Sequence, residues 1–297
     1  PVHKQQIKIL GQDCRSFDVY NFRGEKLREK LNEMTADGKV SSILYSNPNN
    51  PSWICFTDEE LRIITEIATQ KNIVIIEDLA YFAMDFRHDY GKPGVAPYQP
   101  TVAKYTDNFI LMISSSKAFS YAGERIGMMV ISDKLFHTNA PDLTRFYSSA
   151  DLGHSLVFGA LYALSSGTSH SAQYALKAIL EAANSGELDF TNQVREYGEK
   201  AKIMKELFTS NGFKIVYDTD VDKPIADGFY FTFGYPGYSG EELLGELVYY
   251  GISAISLSIT GSTRLEGIRA CVSLVSRDQF GDLKERLEWF HKDHPIK

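Results

Sequence analysis

Three short apolar runs in this chain share one arrangement. Ser42–Ser46 is followed by Asn-Pro-Asn-Asn-Pro, residues 72–77 by Asp-Leu-Ala-Tyr, and residues 109–113 by three serines and Lys117. Continuous apolar runs of this length read as strands buried on both faces, as in parallel sheets. Residues 57–71, between the first two runs, predict a helix. Thr57 and Glu60 form a capping-box pattern, and Leu61, Ile64 and Ile67 make an apolar stripe. Strand, helix, strand implies a right-handed crossover and a parallel pair. Residues 127–132 predict a further strand, antiparallel because the link from residue 113 is short. The polar residues then fall at the carboxyl ends of neighbouring strands, the edge where open α/β sheets bind ligands.

Beyond residue 150 the texture changes. Residues 152–183 place small and apolar side chains at helical spacing, and Phe190–Ser210 reads as a long charged helix. An α+β section follows, with strands expected at 229–233, 252–257 and 268–274 and helices at 240–250 and 277–291. The expected fold class is α/β: a three-layer α/β/α domain around a mainly parallel sheet, residues 1–184, followed by a smaller C-terminal α+β domain, residues 185–297.

The bulk numbers narrow the function. The 297 residues suffice for two domains, and 43% hydrophobic with 23% charged residues is an ordinary globular balance. A net charge of -7 argues against a nucleic-acid surface. Cys14, Cys55 and Cys271 have no metal-ligand spacing, so no metal is expected and a reducing, cytoplasmic setting is. No apolar run reaches the roughly 18 residues of a membrane span, and no secretory signal pattern is visible.

The chemistry gathers around Lys117. A lysine amine becomes a nucleophile toward an aldehyde when it is fixed and its pKa lowered. The hydroxyls before it and Arg125 after it suit a phosphate. Lysine plus phosphate site points to a Schiff base with pyridoxal phosphate. Taken singly, each residue also has a plain structural role: Asn50 in a Pro-rich turn, Asp78 as a helix cap, Tyr81 in a core, Lys117 on the surface, Arg125 in an ion pair.

The spacing of Asn50, Asp78, Tyr81, Lys117 and Arg125 resembles the class I/II aminotransferases, the fold-type-I pyridoxal phosphate enzymes, with their Asn-Pro-x-Gly, Asp-x-x-Tyr and Ser-x-x-Lys motifs and an arginine eight residues beyond the lysine. The resemblance runs from about residue 40 to the C-terminus. It implies that Lys117 forms the Schiff base and then acts as general base. Asp78 would pair with the pyridine nitrogen, Asn50 and Tyr81 with the ring's 3' oxygen, and Ser114, Ser116 and Arg125 with the phosphate. Arg269, in Gly-Ile-Arg, would grip the substrate α-carboxylate, with Arg264 as runner-up. The implied reaction moves an amino group from an α-amino acid to a 2-oxo acid, in a homodimer. Alternatives are other reactions on the same fold (a carbon–sulfur β-lyase, an aminocyclopropane-carboxylate synthase-like enzyme, a decarboxylase) or a non-catalytic binding module. Tyr20, Tyr121 and the aromatic run 229–233 are expected to pack.

Two departures stand out. Ser52 and Trp53 replace the last two residues of the common Asn-Pro-Thr-Gly, and Trp53 is expected to alter the local surface. Only 49 residues precede Asn50, and no glycine-rich strand-to-helix turn lies among them. The chain, which opens on Pro-Val-His-Lys, is therefore expected to be an N-terminally truncated piece with missing sheet strands and weak cofactor affinity.

Overall fold

The computed structural model describes residues 2–296. Helix α1 (Val2–Ile9) and helix α2 (Glu25–Met34) lead into strand β1 (Ser42–Ser46), helix α3 (Asp58–Gln70), strand β2 (Val74–Leu79) and strand β3 (Phe109–Ser114). The four-residue helix α4 (Ser115–Ala118) and strand β4 (Gly127–Ile131) complete a sheet ordered β1-β2-β3-β4. The first three strands are parallel and β4 runs antiparallel to β3, as the short link requires.

Strand alternation decides what each face does. Ile75, Glu77 and Leu79 point into a core with Leu61, Ile64 and Ile67 of α3 and Leu27 and Leu31 of α2. The other face carries Asp78 and leaves Leu44 and Met112 exposed. Helix α3 starts where the sequence places it: Thr57 accepts from the Glu60 N–H and Glu60 reaches back to the Thr57 N–H, closing the capping box.

Short helix α5 (Asp133–Phe136) follows. Residues 152–183 do not form the continuous helical stretch that their spacing suggests. They divide into α6 (Leu152–His154), a π-helical segment (Ser155–Leu161), α7 (Tyr162–Ser165) and, after a break, α8 (His170–Ser185). Ser166 and Gly167 cause the break, both with positive φ, which ends a helix in the left-handed region. Helix α9 (Phe190–Ser210) then leads to β5 (Lys214–Ile215), β6 (Thr219–Asp220), β7 (Lys223–Pro224) and β8 (Tyr230–Gly234). Helix α10 (Gly240–Tyr249), β9 (Ile255–Ser256), β10 (Ile268–Cys271) and α11 (Phe280–Asp293) close the chain. The second sheet, β5-β8-β10-β9, packs against α9, α10 and α11 around Phe208, Phe213, Phe233, Leu243 and Phe290. Phe231 and Phe233 are buried in this core, and Phe229 in the adjoining one, so the aromatic run packs as expected.

Two polar clusters tie the sheets together. Arg23 donates to both carboxylate oxygens of Glu60 at 2.7 and 2.8 Å and to Asp220 at 2.7 Å. Arg87 bridges Asp85 and Asp220, each at 2.8 Å. Burial pushes the Glu60 carboxyl up, but Arg23 outweighs it and holds Glu60 below the usual carboxylate range. Nearby, Asp18 accepts from the Tyr217 hydroxyl and the Thr263 N–H, while the Tyr20 hydroxyl bonds Asp218 and Thr219. Tyr20 thus packs against Tyr217 and the start of β6, which pairs with β7 in a separate two-stranded ribbon.

Candidate active site

The carboxyl ends of β1, β2 and β3 lie side by side, with Ser46 opposite Asp78 and Asp78 opposite Met112, two residues before Ser114. The turn after β1 brings Asn50 back over this edge, its N–H donating to the Ser46 hydroxyl at 3.2 Å. Asn50 Nδ2 donates to the Tyr81 hydroxyl at 3.2 Å, and Asn50 Oδ1 accepts from Arg269 at 2.6 Å. Arg269 comes from β10, so the second sheet completes the site. Its guanidinium stacks 3.9 Å from the Tyr230 ring centroid. Lys117, the third residue of α4, holds its Nζ 6.0 Å from the centre of the Tyr81 ring.

Asp78 is satisfied but not saturated. Oδ1 accepts from the Ala80 N–H and Oδ2 from His3 Nε2, both at 2.9 Å. Each carboxylate oxygen has lone-pair capacity for one more donor. The hydrogen bond to Asp78 raises the His3 pKa, against the opposing effect of burial. His3 is a site residue that sequence reasoning misses, since 75 positions separate it from Asp78 and no motif marks it. Burial, reinforced by neighbouring Tyr230, pushes the Tyr81 hydroxyl far up, so Tyr81 stays a neutral donor and acceptor.

The phosphate candidates are less assembled. The Ser114 hydroxyl caps α4 by accepting from the Ser116 N–H. Arg125 is exposed, has a left-handed backbone (φ 54°), and donates to the Ala122 carbonyl. Arg264 lies elsewhere in the bonding pattern, donating to Asn21 and lying 5.6 Å from the Tyr20 ring centre. Tyr121 packs beside Ile126 and α8. Trp53 does not alter the surface as expected. It is 1% exposed because the chain folds it inward against Tyr81 and Tyr230.

An amine, a carboxylate and an amide–phenol pair converging on one sheet edge fit the groups of pyridoxal phosphate's ring. The buried Arg269 Nε has no hydrogen-bond partner, a donor suited to an incoming carboxylate. Fold and site together define an α/β protein whose polar sheet edge is completed from a second sheet. The profile for aminotransferase class I and II matches residues 1–279, and the chain belongs to that family.

The chain is 27% identical over 228 residues to a probable aspartate aminotransferase of Methanocaldococcus jannaschii, covering 77% of this chain and 50% of that protein. It is 29% identical over 147 residues to 1-aminocyclopropane-1-carboxylate synthase 6 of Oryza sativa subsp. japonica, covering 48% and 26%. A PLP-bound protein of Clostridium difficile 630 shares the fold with a TM-score of 0.63 at 17% identity, covering 89% of this chain and 60% of that one. The chain thus spans half or less of the length of these two curated relatives.

Proposed function

We propose that the protein is a pyridoxal 5'-phosphate-dependent aminotransferase that moves the amino group of an α-amino acid to a 2-oxo acid. The observation that carries this reading is Asn50, which joins Tyr81 on one side and Arg269 on the other beside the Lys117 amine. When bound, the cofactor supplies an electron sink for negative charge on the substrate's α-carbon. Asp78, supported by His3 and the Ala80 N–H, accepts from the pyridine N–H and keeps that nitrogen protonated. Asn50 and Tyr81 hydrogen-bond the ring's 3' oxygen. Ser114, Ser116 and Arg125 would hold the phosphate. Arg269 binds the substrate carboxylate through its remaining donors, and Lys117 Nζ takes the proton from the substrate α-carbon.

The exposed apolar side chains of Phe158, Leu161, Tyr162 and Leu164 support a homodimer in which this segment faces a second copy. No helix among the described residues is long and apolar enough to cross a membrane, and the three cysteines are unpaired. Both fit the cytoplasmic setting we assign.

A second reading keeps the same residues and changes the bond broken. The similarity to an aminocyclopropane-carboxylate synthase favours it. Addition of amino acids to the cofactor-loaded protein separates the two. Transamination releases one keto acid per cofactor and consumes a second 2-oxo acid. Ammonia with pyruvate, carbon dioxide, or a cyclised amino acid formed without any keto acid contradicts transamination and indicates elimination, decarboxylation or ring closure. No spectral change indicates a binding module.

A further inference from the structure

Trp53 stands where the family motif has glycine, and its backbone shows why glycine is favoured there: φ is +63°, in the left-handed region. A bulky residue held in such a conformation needs its surroundings to enforce it. The surroundings are specific. The indole ring lies 5.1 Å from the Tyr81 ring and 6.1 Å from the Tyr230 ring, and those two lie 5.5 Å apart. On its remaining side it rests on Gly228, where an added Cβ would come within 2.0 Å of the indole. Its Nε1 is buried without a partner, so the ring is held by shape rather than by a hydrogen bond.

These contacts close a ring around the site. Asn50 bonds Tyr81, Tyr81 packs on Trp53, Trp53 on Tyr230, Tyr230 under Arg269, and Arg269 bonds Asn50. Trp53 and Tyr230 are the members assigned no contact with substrate or cofactor, and Trp53 is the one packed against both tyrosines. We infer that Trp53, seated in the notch left by Gly228, is a positioning residue that fixes Tyr81 and Tyr230, and through them the cofactor-side and carboxylate-side groups, relative to each other. The inference rests on the functional reading above. It depends on the indole, because a glycine at position 53 has no side chain to span the gap.

Two measurements test it. The first is a double-mutant cycle on thermal unfolding, made without cofactor. Gly228→Ala lowers the unfolding midpoint in the presence of Trp53 and has little effect beside Trp53→Gly. Additive effects would overturn the notch-and-ring packing. The second is pyridoxal phosphate titration of the visible band of lysine-bound cofactor. In Trp53→Gly the dissociation constant rises by about tenfold or more, and the pH midpoint of the band shifts as the Tyr81 hydroxyl loosens. Trp53→Phe recovers part of both. A band present in all variants with unchanged affinity and unchanged pH midpoint overturns the positioning role. A wild-type protein showing no such band at any cofactor concentration overturns the enzymatic reading, and the positioning role with it, while the cycle still decides the packing.

Discussion

Glu77 and Asp78 are neighbours on one strand with opposite surroundings. Asp78 faces the site, and Glu77, 0% exposed, faces the core. Glu77 accepts from Asn47 Nδ2 at 3.4 Å and from the Val102 N–H at 3.0 Å, with the Tyr45 hydroxyl beside it. No cation faces it among the described residues, and burial raises its pKa to about 7. An acid whose folded pKa lies above its unfolded value opposes folding once ionised. Its share of the stability is therefore fully present below about pH 4.5 and is lost as pH rises through about 7. The size is on the order of 3 kcal/mol. His3, with its raised pKa, adds in the same direction, its contribution being lost as pH rises past its own folded pKa. Urea unfolding of Glu77→Gln across this range is expected to give a distinctly flatter pH dependence than the parent, and an unchanged slope would show that Glu77 does not carry the effect. At this scale Asn50, Asp78, Tyr81, Lys117 and Arg269 are legible in the sequence because a motif fixes each relative to a strand end. His3 and the burial of Trp53 are not, since a distant histidine and a notch at Gly228 leave no local pattern.

Among the elements, α3 shows how one residue serves two purposes. Glu60 completes the Thr57 capping box and also receives the buried Arg23. Thr57→Ala removes a cap and is expected to cost about 1 kcal/mol. Glu60→Ala also takes from the buried Arg23 one of its two carboxylate partners, leaving Asp220, and is expected to cost about 3 kcal/mol. Equal costs in denaturant titrations would mean that the ion pair contributes nothing beyond the cap. The box is visible in Thr57-Asp-Glu-Glu60, but its second partner is not, because Arg23 lies outside any periodic segment. The strands of the first sheet are equally visible, each being an apolar run between turn residues. The stretch after residue 150 is legible only in part: Ser165-Ser166-Gly167-Thr168-Ser169 marks the break before α8, but small and apolar spacing is compatible with α- and π-helical turns alike.

For the whole molecule, the proposed function depends on the second sheet staying docked on the first, since Arg269 reaches Asn50 across that junction. Asp220 is the central tie, receiving Arg23, Arg87 and the Cys55 N–H. Asp220→Ala is expected to cost about 3 kcal/mol. Both arginines keep another carboxylate partner, which places this at the low end for a broken buried pair. A loss below about 0.5 kcal/mol, typical of exposed pairs, would show that Asp220 is not the tie that holds the junction. The most direct test of the account concerns one amine. The protein is incubated with pyridoxal phosphate and reduced with borohydride, and its peptides are then read by mass spectrometry. The account predicts a phosphopyridoxyl adduct concentrated on Lys117, lost in Lys117→Ala with the fold intact. Adducts spread over surface lysines with Lys117 unmodified would contradict it.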